Sequence, residues 1–317
     1  MQLENRFLAL PDERLAALGI TTADVIAAIE RAVAAKAAGK LWTTPKSPLL
    51  PGDGRYMMTT LSAADDPPLI AVKAVMVSPR NAGRGLPGVN GAILLLDSET
   101  GMLVATLGAN WVTAVRTAGL SAVVARRLAD PRSRAVAFIG TGTQARSHLD
   151  AFAELFPLAE VRVFGRGQAN SETLCAAARA KGLEARLATS PRDALEGADL
   201  VVSSVTLDYT LAPFLDARWL KPGAFAAITD LGLPWQPDSL PAFDTLVIDD
   251  LEQEAAMPKP MAPPALVAGD LAGLVTGRVA AGFDPARRSA FLFRGIALGD
   301  FAVATLAYAR AIAAPGS

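Results

Sequence analysis

The sequence predicts an α/β protein with two domains. Its 317 residues suit two domains of ordinary size, one of which could be discontinuous in sequence. The first third is typical of one helix followed by an antiparallel sheet. From Arg134 onward, short apolar strands alternate with alanine-rich helices, and this alternation favours a parallel sheet with crossover helices.

Composition excludes several classes of protein. Hydrophobic residues make up 51% of the chain and charged residues 19%, so the chain is not disordered as a whole. The 30 basic and 31 acidic residues give a formal charge of −1, which offers no basic field to nucleic acid. A single cysteine, Cys175, and a single histidine, His148, exclude an internal disulfide, a cysteine-based zinc site and a histidine-rich metal centre.

The sequence also indicates a location in the cell. Its first residues lack the charged and apolar segments of a signal peptide, and no apolar run without charges or breakers reaches about 18 residues. A single cysteine agrees with a reducing compartment. We therefore expect a cytoplasmic protein without a membrane span.

The first third of the chain begins with a predicted helix over Thr21–Lys40. Thr21 and Asp24 have the spacing of a capping box, and Gly39 marks the end. Apolar residues share one face of this helix: Val25, Ile29 and Val33.

Four strands are predicted next. Arg55–Leu61 and Leu69–Ser78 are the first two, and the second is rich in β-branched residues. Ala92–Leu96 and Met102–Leu107 flank the segment DSETG, which has the residues of a hairpin loop. These strands predict the antiparallel sheet.

The rest of the chain predicts the parallel sheet. A helical pattern covers Val112–Leu128, a proline-rich loop covers Met257–Pro264, and a helix of small residues covers Phe293–Ala314. Between the first helix and the loop lie the apolar strand segments AVAFIG, EVRVFG, DLVVSSV, AFAAIT and TLVID.

A glycine turn carries the strongest local signal. The strand AVAFIG runs directly into a segment with G-x-G-x-x-A spacing, and a helix follows at once. Gly140 permits the tight turn, Gly142 lets the backbone approach a pyrophosphate, and Ala145 allows the helix to pack closely on the sheet. We expect a dinucleotide to bind here rather than a purely structural turn, in contact with Gly140, Thr141, Gly142, Thr143, Gln144 and Ala145.

The end of the second strand of this unit bears on the choice of cofactor. An acidic residue there would bind the ribose hydroxyls of NAD, whereas an arginine suits the 2′-phosphate of NADP. The segment after EVRVF contains Arg166 and no carboxylate. We therefore expect NADP(H) to be preferred and NAD(H) to be possible; the alternative is that Arg166 is an ordinary solvated loop residue.

Two cations lie where charge is costly. Lys73 lies inside the apolar strand LIAVKAVMV, so it either meets a negative group or reaches water at a sheet edge. Arg116 lies among small apolar residues in TAVRTAGLSAVVA, and its fork geometry fits a carboxylate. That carboxylate is either a ligand or an Asp or Glu of the chain that the local pattern does not identify.

These segments resemble one known family. AVKAV around Lys73 is followed in order by NAGRGLPGVNGAILLLDSETG, TAVRTAGLSAVVARRL, FIGTGTQARSHL and FRGIALGDFAVA. Together they are similar to the ornithine cyclodeaminase/mu-crystallin family from Lys73 to the C-terminus.

The resemblance implies a Rossmann-type parallel-sheet domain inserted in an α+β substrate and dimerisation domain. On this basis we expect residues 1–115, completed by 294–317, to bind substrate and form a homodimer, and residues 116–293 to bind the dinucleotide. Members of the family cyclise ornithine to proline, reduce cyclic imines, act as an alanine dehydrogenase or bind NADPH as mu-crystallins. All these activities involve hydride chemistry at the carbon next to a carboxylate.

The resemblance also implies roles for individual residues. Lys73 and Arg116 match the carboxylate-binding Lys and Arg of the family, and Lys46 falls near an Arg with the same task. Asn81, Thr113 and Thr117 coincide with motif positions near substrate and cofactor: we expect Asn81 on the substrate side, and Thr113 and Thr117 beside the cofactor.

One departure from the family pattern affects the reaction. Where cyclodeaminases carry an acid/base Asp, this chain carries Pro234. Asp230 lies at the end of a strand and could replace the missing group, or it could merely cap the following turn. Trp235 could line the site or belong to the core, and His148 could be structural or lie near the cofactor.

These observations predict an NAD(P)H-dependent reductase of cyclic or simple 2-imino acids such as pyrroline- or piperideine-2-carboxylate. Lys73 and Arg116 would hold the substrate carboxylate. We expect Lys73 and Asp230 to be catalytic residues, and the proton for the imine nitrogen to come from Asp230 or from water. The alternatives are an ornithine cyclodeaminase that forms proline and ammonia, an alanine-type dehydrogenase, and an NADPH-binding protein with little catalysis.

Overall fold

The structure, a computed structural model, describes residues 7–313 except the side chains of Pro79 and Ala82. The chain divides into two compact units. The first comprises the residues up to Arg116 and those from Ile296 onward, and the second is Thr117–Gly295. The predicted α/β fold class is confirmed, because the first unit holds a mixed sheet and the second a parallel one.

The helices and strands follow one another along both units. As far as the helix that follows the first sheet, they are β1 (Leu8–Leu10), α1 (Asp12–Ala16), α2 (Thr22–Ala37), β2 (Leu41–Thr43), β3 (Ser47–Leu49), β4 (Tyr56–Ala64), β5 (Leu69–Val77), β6 (Val89–Asp97), β7 (Leu103–Gly108) and α3 (Ala109–Leu128). They continue with β8 (Ala135–Ile139), α4 (Thr143–Leu155), β9 (Glu160–Phe164), α5 (Gln168–Ala180), β10 (Glu184–Leu187), α6 (Pro191–Leu195), β11 (Leu200–Ser203), β12 (Phe225–Ile228), β13 (Thr245–Ile248), α7 (Leu251–Ala255), β14 (Val267–Asp270), α8 (Leu271–Val275), β15 (Ser289–Leu292) and α9 (Ala297–Ala313).

The sheet of the first unit has seven strands. Its order is β1-β7-β6-β5-β4-β2, with β3 also paired to β4, and β4 to β7 run antiparallel as predicted. Helix α9 packs against α2, β4, β5 and β6. In the register of the central strands, Lys73 of β5 lies between Thr60 of β4 and Ile93 of β6. Lys73 therefore lies in the interior of the sheet.

Helix α2 forms where the capping signal predicts it. The Asp24 backbone N–H donates to the Thr21 hydroxyl oxygen at 3.2 Å, and the Thr21 N–H donates to the Asp24 carboxylate at 3.0 Å. This reciprocal pair satisfies two of the helix's otherwise unpaired donors.

The sheet of the second unit has eight strands, all parallel, in the order β10-β9-β8-β11-β12-β15-β13-β14. The five apolar segments predicted as strands correspond to β8, β9, β11, β12 and β13. Chain order runs outward from β8 to β9 and β10 on one side, and to β11 and β12 on the other. The sheet thus has its topological switch point beside β8.

The last predicted helix starts too early. Residues Ser289–Leu292 form β15 between β12 and β13, and helix α9 begins only at Ala297. A short apolar run such as SAFLF cannot be assigned to strand or helix by periodicity alone, so β15 was not predicted and Phe293 was placed in the helix. Gly295 then takes a φ of 86°, which separates strand from helix. Ala314, the last residue of that prediction, lies outside the described residues.

Within residues 7–313, no helix is both long and apolar enough to cross a membrane. The same residues contain no group of three or more His, Cys, Asp or Glu side chains placed to hold a metal ion.

Candidate functional site

The first candidate site is a buried cluster of charges in the first unit. Lys73 is only 1% exposed, so the alternative that it reaches water at a sheet edge is wrong. Its Nζ lies 2.6 Å from Oδ1 of Asp300, which is in the first turn of α9. Asp300 is the negative partner that the apolar strand required.

Asp300 also binds the second buried cation. Nε of Arg116, on α3, lies 3.0 Å from the same Oδ1. The Thr60 hydroxyl donates to Oδ2 at 3.1 Å. One carboxylate therefore gathers Lys73, Arg116 and Thr60. Of the two alternatives for the partner of Arg116, a ligand or an acid of the chain, the structure shows an acid of the chain, Asp300.

The charges of this cluster do not balance. Two cations share one carboxylate, which leaves one positive charge in excess. Nη1 of Arg116 is buried and has no hydrogen-bond partner among the described residues. A buried, unpaired donor of this kind is costly unless a ligand satisfies it. A bound anion would accept a hydrogen bond from Nη1 and would also neutralise the excess positive charge.

The local environment shifts two pKa values. Burial lowers the pKa of Lys73 to about 8, and the nearby charge of Arg116 adds to this effect, while Asp300 opposes it. Burial alone would raise the pKa of Asp300, but the charges of Lys73 and Arg116 outweigh it and hold that pKa below its usual range. The carboxylate is therefore ionised at neutral pH.

The other residues predicted on the substrate side lie in the same unit. Lys46 directly precedes β3, and its charge contributes to lowering the pKa of Asp300. Asn81 is buried and its amide donates to the carbonyl oxygen of Pro87 at 2.8 Å, which fixes the segment after β5. The structure thus brings Lys46, Lys73 and Arg116 into one electrostatic cluster and gives Asn81 a bond within its own loop.

The second candidate site is the glycine turn after β8. Gly140 has a φ of 95°, and a Cβ there would lie 2.5 Å from the carbonyl oxygen of Ser204. Both constraints require glycine. At Gly142, by contrast, a Cβ would meet nothing within 4 Å. The space above the turn at Gly142 is therefore open.

Helix α4 starts at this open space. Gly142 is its N-cap and provides no side-chain hydrogen bond, so the first N–H groups of the helix have no cap from that residue. Ala145 is fully buried and allows close packing. A glycine turn and a helix start at the switch point are the features on which doubly wound folds bind the pyrophosphate of a dinucleotide, and all three are present beside β8.

Two buried polar atoms near this turn have no hydrogen-bond partner in the part of the chain that the structure describes. They are Oε1 of Gln144, in the first turn of α4, and Oγ of Ser204, whose carbonyl faces Gly140. Sequence reasoning included Gln144 but missed Ser204. The available signal was its position directly after β11, at the carboxyl edge of the sheet next to β8.

The other residues predicted beside the cofactor are placed as follows. Arg166 is exposed in the loop between β9 and α5, and its charge helps to lower the pKa of Asp208, after the hydrogen bonds from Thr210. Thr113 and Thr117 both lie on α3; Thr117 is buried and Thr113 is partly exposed.

Asp230 lies after β12 and is only 1% exposed. Its Oδ1 accepts from the Ser203 hydroxyl and its Oδ2 from the Val205 N–H, both at 3.1 Å. The indole N–H of Trp235 donates to the Ser203 oxygen at 3.0 Å. Burial raises the pKa of Asp230 to about 6, although these hydrogen bonds oppose the shift. Asp230 therefore belongs to a buried network that joins the ends of β11 and β12.

The single histidine is structural. His148 is fully buried, and its Nδ1 lies 2.7 Å from the carbonyl oxygen of Gln144, which can only accept. Burial lowers the pKa of His148 to about 4, so the ring is neutral, and its Nε2 accepts from the Ser121 hydroxyl at 2.9 Å. The ring ties α4 to α3. Trp235, likewise, belongs to the core, where it packs against Phe243.

The profile of the ornithine cyclodeaminase/mu-crystallin family matches residues 15–314. The chain belongs to this family. It is 30% identical over 258 residues to the ketimine reductase mu-crystallin of Rattus norvegicus, an alignment that covers 80% of this chain and 79% of the relative. It is 35% identical over 187 residues to the Delta(1)-pyrroline-2-carboxylate/Delta(1)-piperideine-2-carboxylate reductase of Azospirillum brasilense, covering 59% of this chain and 58% of the relative.

Solved structures of the family have the same fold. The Delta(1)-pyrroline-2-carboxylate reductase of Thermococcus litoralis, solved with NADH and L-proline, superposes with a TM-score of 0.87 at 24% identity and covers 97% of this chain and 98% of that one. At this identity, the likeness establishes the fold.

Sequence reasoning missed the residue at the centre of the charged cluster. Asp300 is the only acid in the apolar segment FRGIALGDFAVATLAYA, and this isolation was the available signal. Periodicity does not show which buried cation such an acid meets. The pairing is visible only in the structure, where α9 packs on the sheet.

Proposed function

We propose that the protein is a nicotinamide-dependent reductase of cyclic or simple 2-imino acids. The observation that carries this proposal is the buried cluster in which Lys73 and Arg116 share one carboxylate and retain an excess positive charge. A small substrate with a carboxylate next to its C=N bond supplies the missing anion. Relatives named as ketimine and pyrroline-2-carboxylate reductases support this choice of substrate class.

The glycine turn fits a dinucleotide. The space above Gly142 is open. Among residues 7–313, no side chain caps the start of α4 and none bonds to the buried Oε1 of Gln144. Residues Gly140 to Ala145 would hold the cofactor, with Thr113 and Thr117 beside it. The bound reduced cofactor supplies a hydride for the imine carbon.

The residues of the first unit would position the substrate. Arg116 and Lys73 hold the carboxylate, which fixes the neighbouring imine carbon, and Lys46 and Asn81 complete this side of the site. The imine nitrogen must also gain a proton, which comes from water or from the raised-pKa carboxyl of Asp230. A reductase needs only this one proton, whereas a cyclodeaminase needs an acid/base group for several proton transfers, and this chain carries Pro234 where cyclodeaminases carry that Asp.

The direct test is an assay with the purified protein. NADPH mixed with pyrroline-2-carboxylate or piperideine-2-carboxylate should be oxidised, with loss of its absorbance. Lys73→Met and Arg116→Met should each raise KM for the imine by about tenfold or more, because they remove a charged hydrogen bond. Lys40→Met is the matched control, since Lys40 is exposed in the same unit.

Three results would contradict the proposal. No oxidation of either NADPH or NADH with either imine would exclude the reductase. Proline formed from ornithine would support the cyclodeaminase instead. Tight NADPH binding without turnover on a panel of 2-oxo acids and amines would support a binding protein.

We propose that NADP(H) is preferred over NAD(H). Arg166 follows β9 in an exposed loop without a carboxylate at the strand end, which suits a 2′-phosphate. Arg166→Gln should weaken NADPH binding by about tenfold while NADH binding stays constant. Equal changes in the two affinities, measured by fluorescence titration, would contradict this preference.

We also propose a homodimer formed through the sheet of the first unit. Leu61, Val72 and Leu94 are neighbours across β4, β5 and β6. Leu61 and Leu94 are 42% and 40% exposed and lie on the face opposite Thr60 and Lys73. Exposed apolar patches of this kind mark interfaces.

Sedimentation tests the dimer. Leu94→Glu should convert a dimer to a monomer, because it would bury a charge in the contact. Leu187→Glu is the control, since Leu187 is equally exposed, at 43%, in the second unit. A wild-type monomer, or a dimer unaffected by Leu94→Glu, would contradict the proposed interface.

A further inference from the structure

Asp300 does not take the place of the substrate carboxylate. Both of its oxygens are committed to the protein: Oδ1 to Lys73 and Arg116, and Oδ2 to Thr60. It lies in the first turn of α9, where the positive end of the helix dipole favours a carboxylate. Its position is therefore set by the fold, and Lys73 and Arg116 are positioned by it.

The contact with Arg116 is made at one edge of the guanidinium. Oδ1 of Asp300 lies 3.0 Å from Nε as an ion pair, and neither Nε nor Nη1 has a hydrogen-bond partner among the described residues. The ion pair therefore anchors the guanidinium, while its donors stay available for a second carboxylate. The same oxygen contacts the Lys73 ammonium, so both cations are oriented together.

We infer that Asp300 is a positioning residue for substrate binding: it binds Lys73 and Arg116 and orients both cations toward the carboxylate of the imino acid. The inference rests on the proposed function. It assigns Asp300 no contact with the substrate or the cofactor.

The charge of Asp300 is what keeps Lys73 protonated. The groups that face Lys73 are Asp300 from α9, Arg116 from α3 and the neutral Thr60 from β4, and Lys46 lies near the carboxylate. Burial and Arg116 lower the pKa of Lys73 to about 8, and only Asp300 raises it. Without that carboxylate, Lys73 would lose its proton at a lower pH, and the carboxylate of the substrate would lose one of its two cations.

The test compares Asp300→Asn with Thr60→Val, which removes only the hydroxyl that fixes Oδ2. In Asp300→Asn, KM for the imine should rise by about tenfold or more at pH 7, because charge-assisted contacts are of this size. The rise of KM with pH, centred near pH 8 in the wild type where Lys73 titrates, should move to lower pH. The NADPH dissociation constant should not change.

Thr60→Val keeps the inference testable where Asp300→Asn does not fold. It should raise KM about threefold and shift the same pH profile in the same direction, by less. Thr173→Val is the matched control, since Thr173 is an exposed threonine on α5, in the second unit. It should leave KM, its pH profile and kcat unchanged.

A second measurement separates failure of this inference from failure of the proposed function. Pyrrole-2-carboxylate, a planar anion that cannot be reduced as an imine, can be titrated calorimetrically into the protein with NADPH. Wild type that neither reduces imines nor binds this anion overturns the proposed function and the inference with it. A different outcome would overturn the role of Asp300 alone. In it, the wild type binds the anion, and the folded Asp300→Asn and Thr60→Val variants bind it with the same affinity and the same pH profile.

Discussion

Asp300 in the first unit and Asp230 in the second are both buried carboxylates, 2% and 1% exposed, yet their pKa values shift in opposite directions. The pKa of Asp300 is lowered although burial raises it, because Lys73 and Arg116 lie beside it. The pKa of Asp230 is raised to about 6, because hydrogen bonds from Ser203 and Val205 only partly offset burial. Burial alone therefore does not decide the charge of a carboxylate; the partners do.

The same contrast separates two ways of binding an anion. The first unit presents side-chain charges, Lys73 and Arg116, that are held by an internal counter-ion. The second unit presents backbone N–H groups at the start of α4, beside a turn kept open by Gly142. A substitution that removes a charged side chain should therefore disturb the first site. A substitution that adds a side chain at the turn should disturb the second.

The largest expected effect comes from the same substitution at the two carboxylates. Asp300→Asn leaves two buried cations without a counter-ion and should lower the free energy of unfolding by about 3–5 kcal/mol at pH 7. Asp230→Asn loses a hydrogen bond from Val205 but also removes a buried negative charge, so it should change the free energy of unfolding by about 1 kcal/mol or less. Urea unfolding at pH 7 measures both. Equal losses would show that the two environments do not differ as described.

The pH dependence of stability should also differ in sign. The folded pKa of Asp230, about 6, lies above its ordinary value of 3.8, so between these values the folded state holds a proton that the unfolded chain has released. The stability of the wild type relative to Asp230→Asn should therefore fall by up to about 3 kcal/mol from pH 4 to pH 7.

For Asp300, the pKa in the folded state is lowered, so the stability that its ionised carboxylate contributes is present above the ordinary carboxyl pKa. This stability is lost as the pH falls through the folded-state pKa. The stability of the wild type relative to Asp300→Asn should shrink on acidification. Urea titrations at several pH values give both differences, and slopes of the same sign would contradict the contrast.

The smallest expected effect concerns the two glycines of the turn. Gly142→Ala places a methyl group in open space and should weaken NADPH binding by about tenfold with little change in stability. Gly140→Ala meets a positive φ and the Ser204 carbonyl, and should cost about 1–3 kcal/mol of stability. Fluorescence titration and thermal unfolding separate the two. An unchanged affinity in Gly142→Ala would count against a pyrophosphate above the turn.

Most of the fold could be predicted from the sequence, because the signals are local. The capping box of Thr21 and Asp24 begins α2, alternation and turn residues mark β4 to β7, and the apolar segments mark the strands around β8. The strand β15 was missed, since SAFLF is too short for its periodicity to identify it and its neighbours β12 and β13 come earlier in the chain.

The sequence by itself determined that Lys73 and Arg116, placed among apolar residues, need a negative partner, and that Gly140 and Gly142 form a turn suited to a dinucleotide. Only the tertiary structure decided that the partner is Asp300 and that, within residues 7–313, hydrogen bonds rather than cations surround Asp230. The reason is physical: capping, turns and periodicity depend on residues close in the chain, whereas desolvation and ion pairing depend on which distant elements pack together.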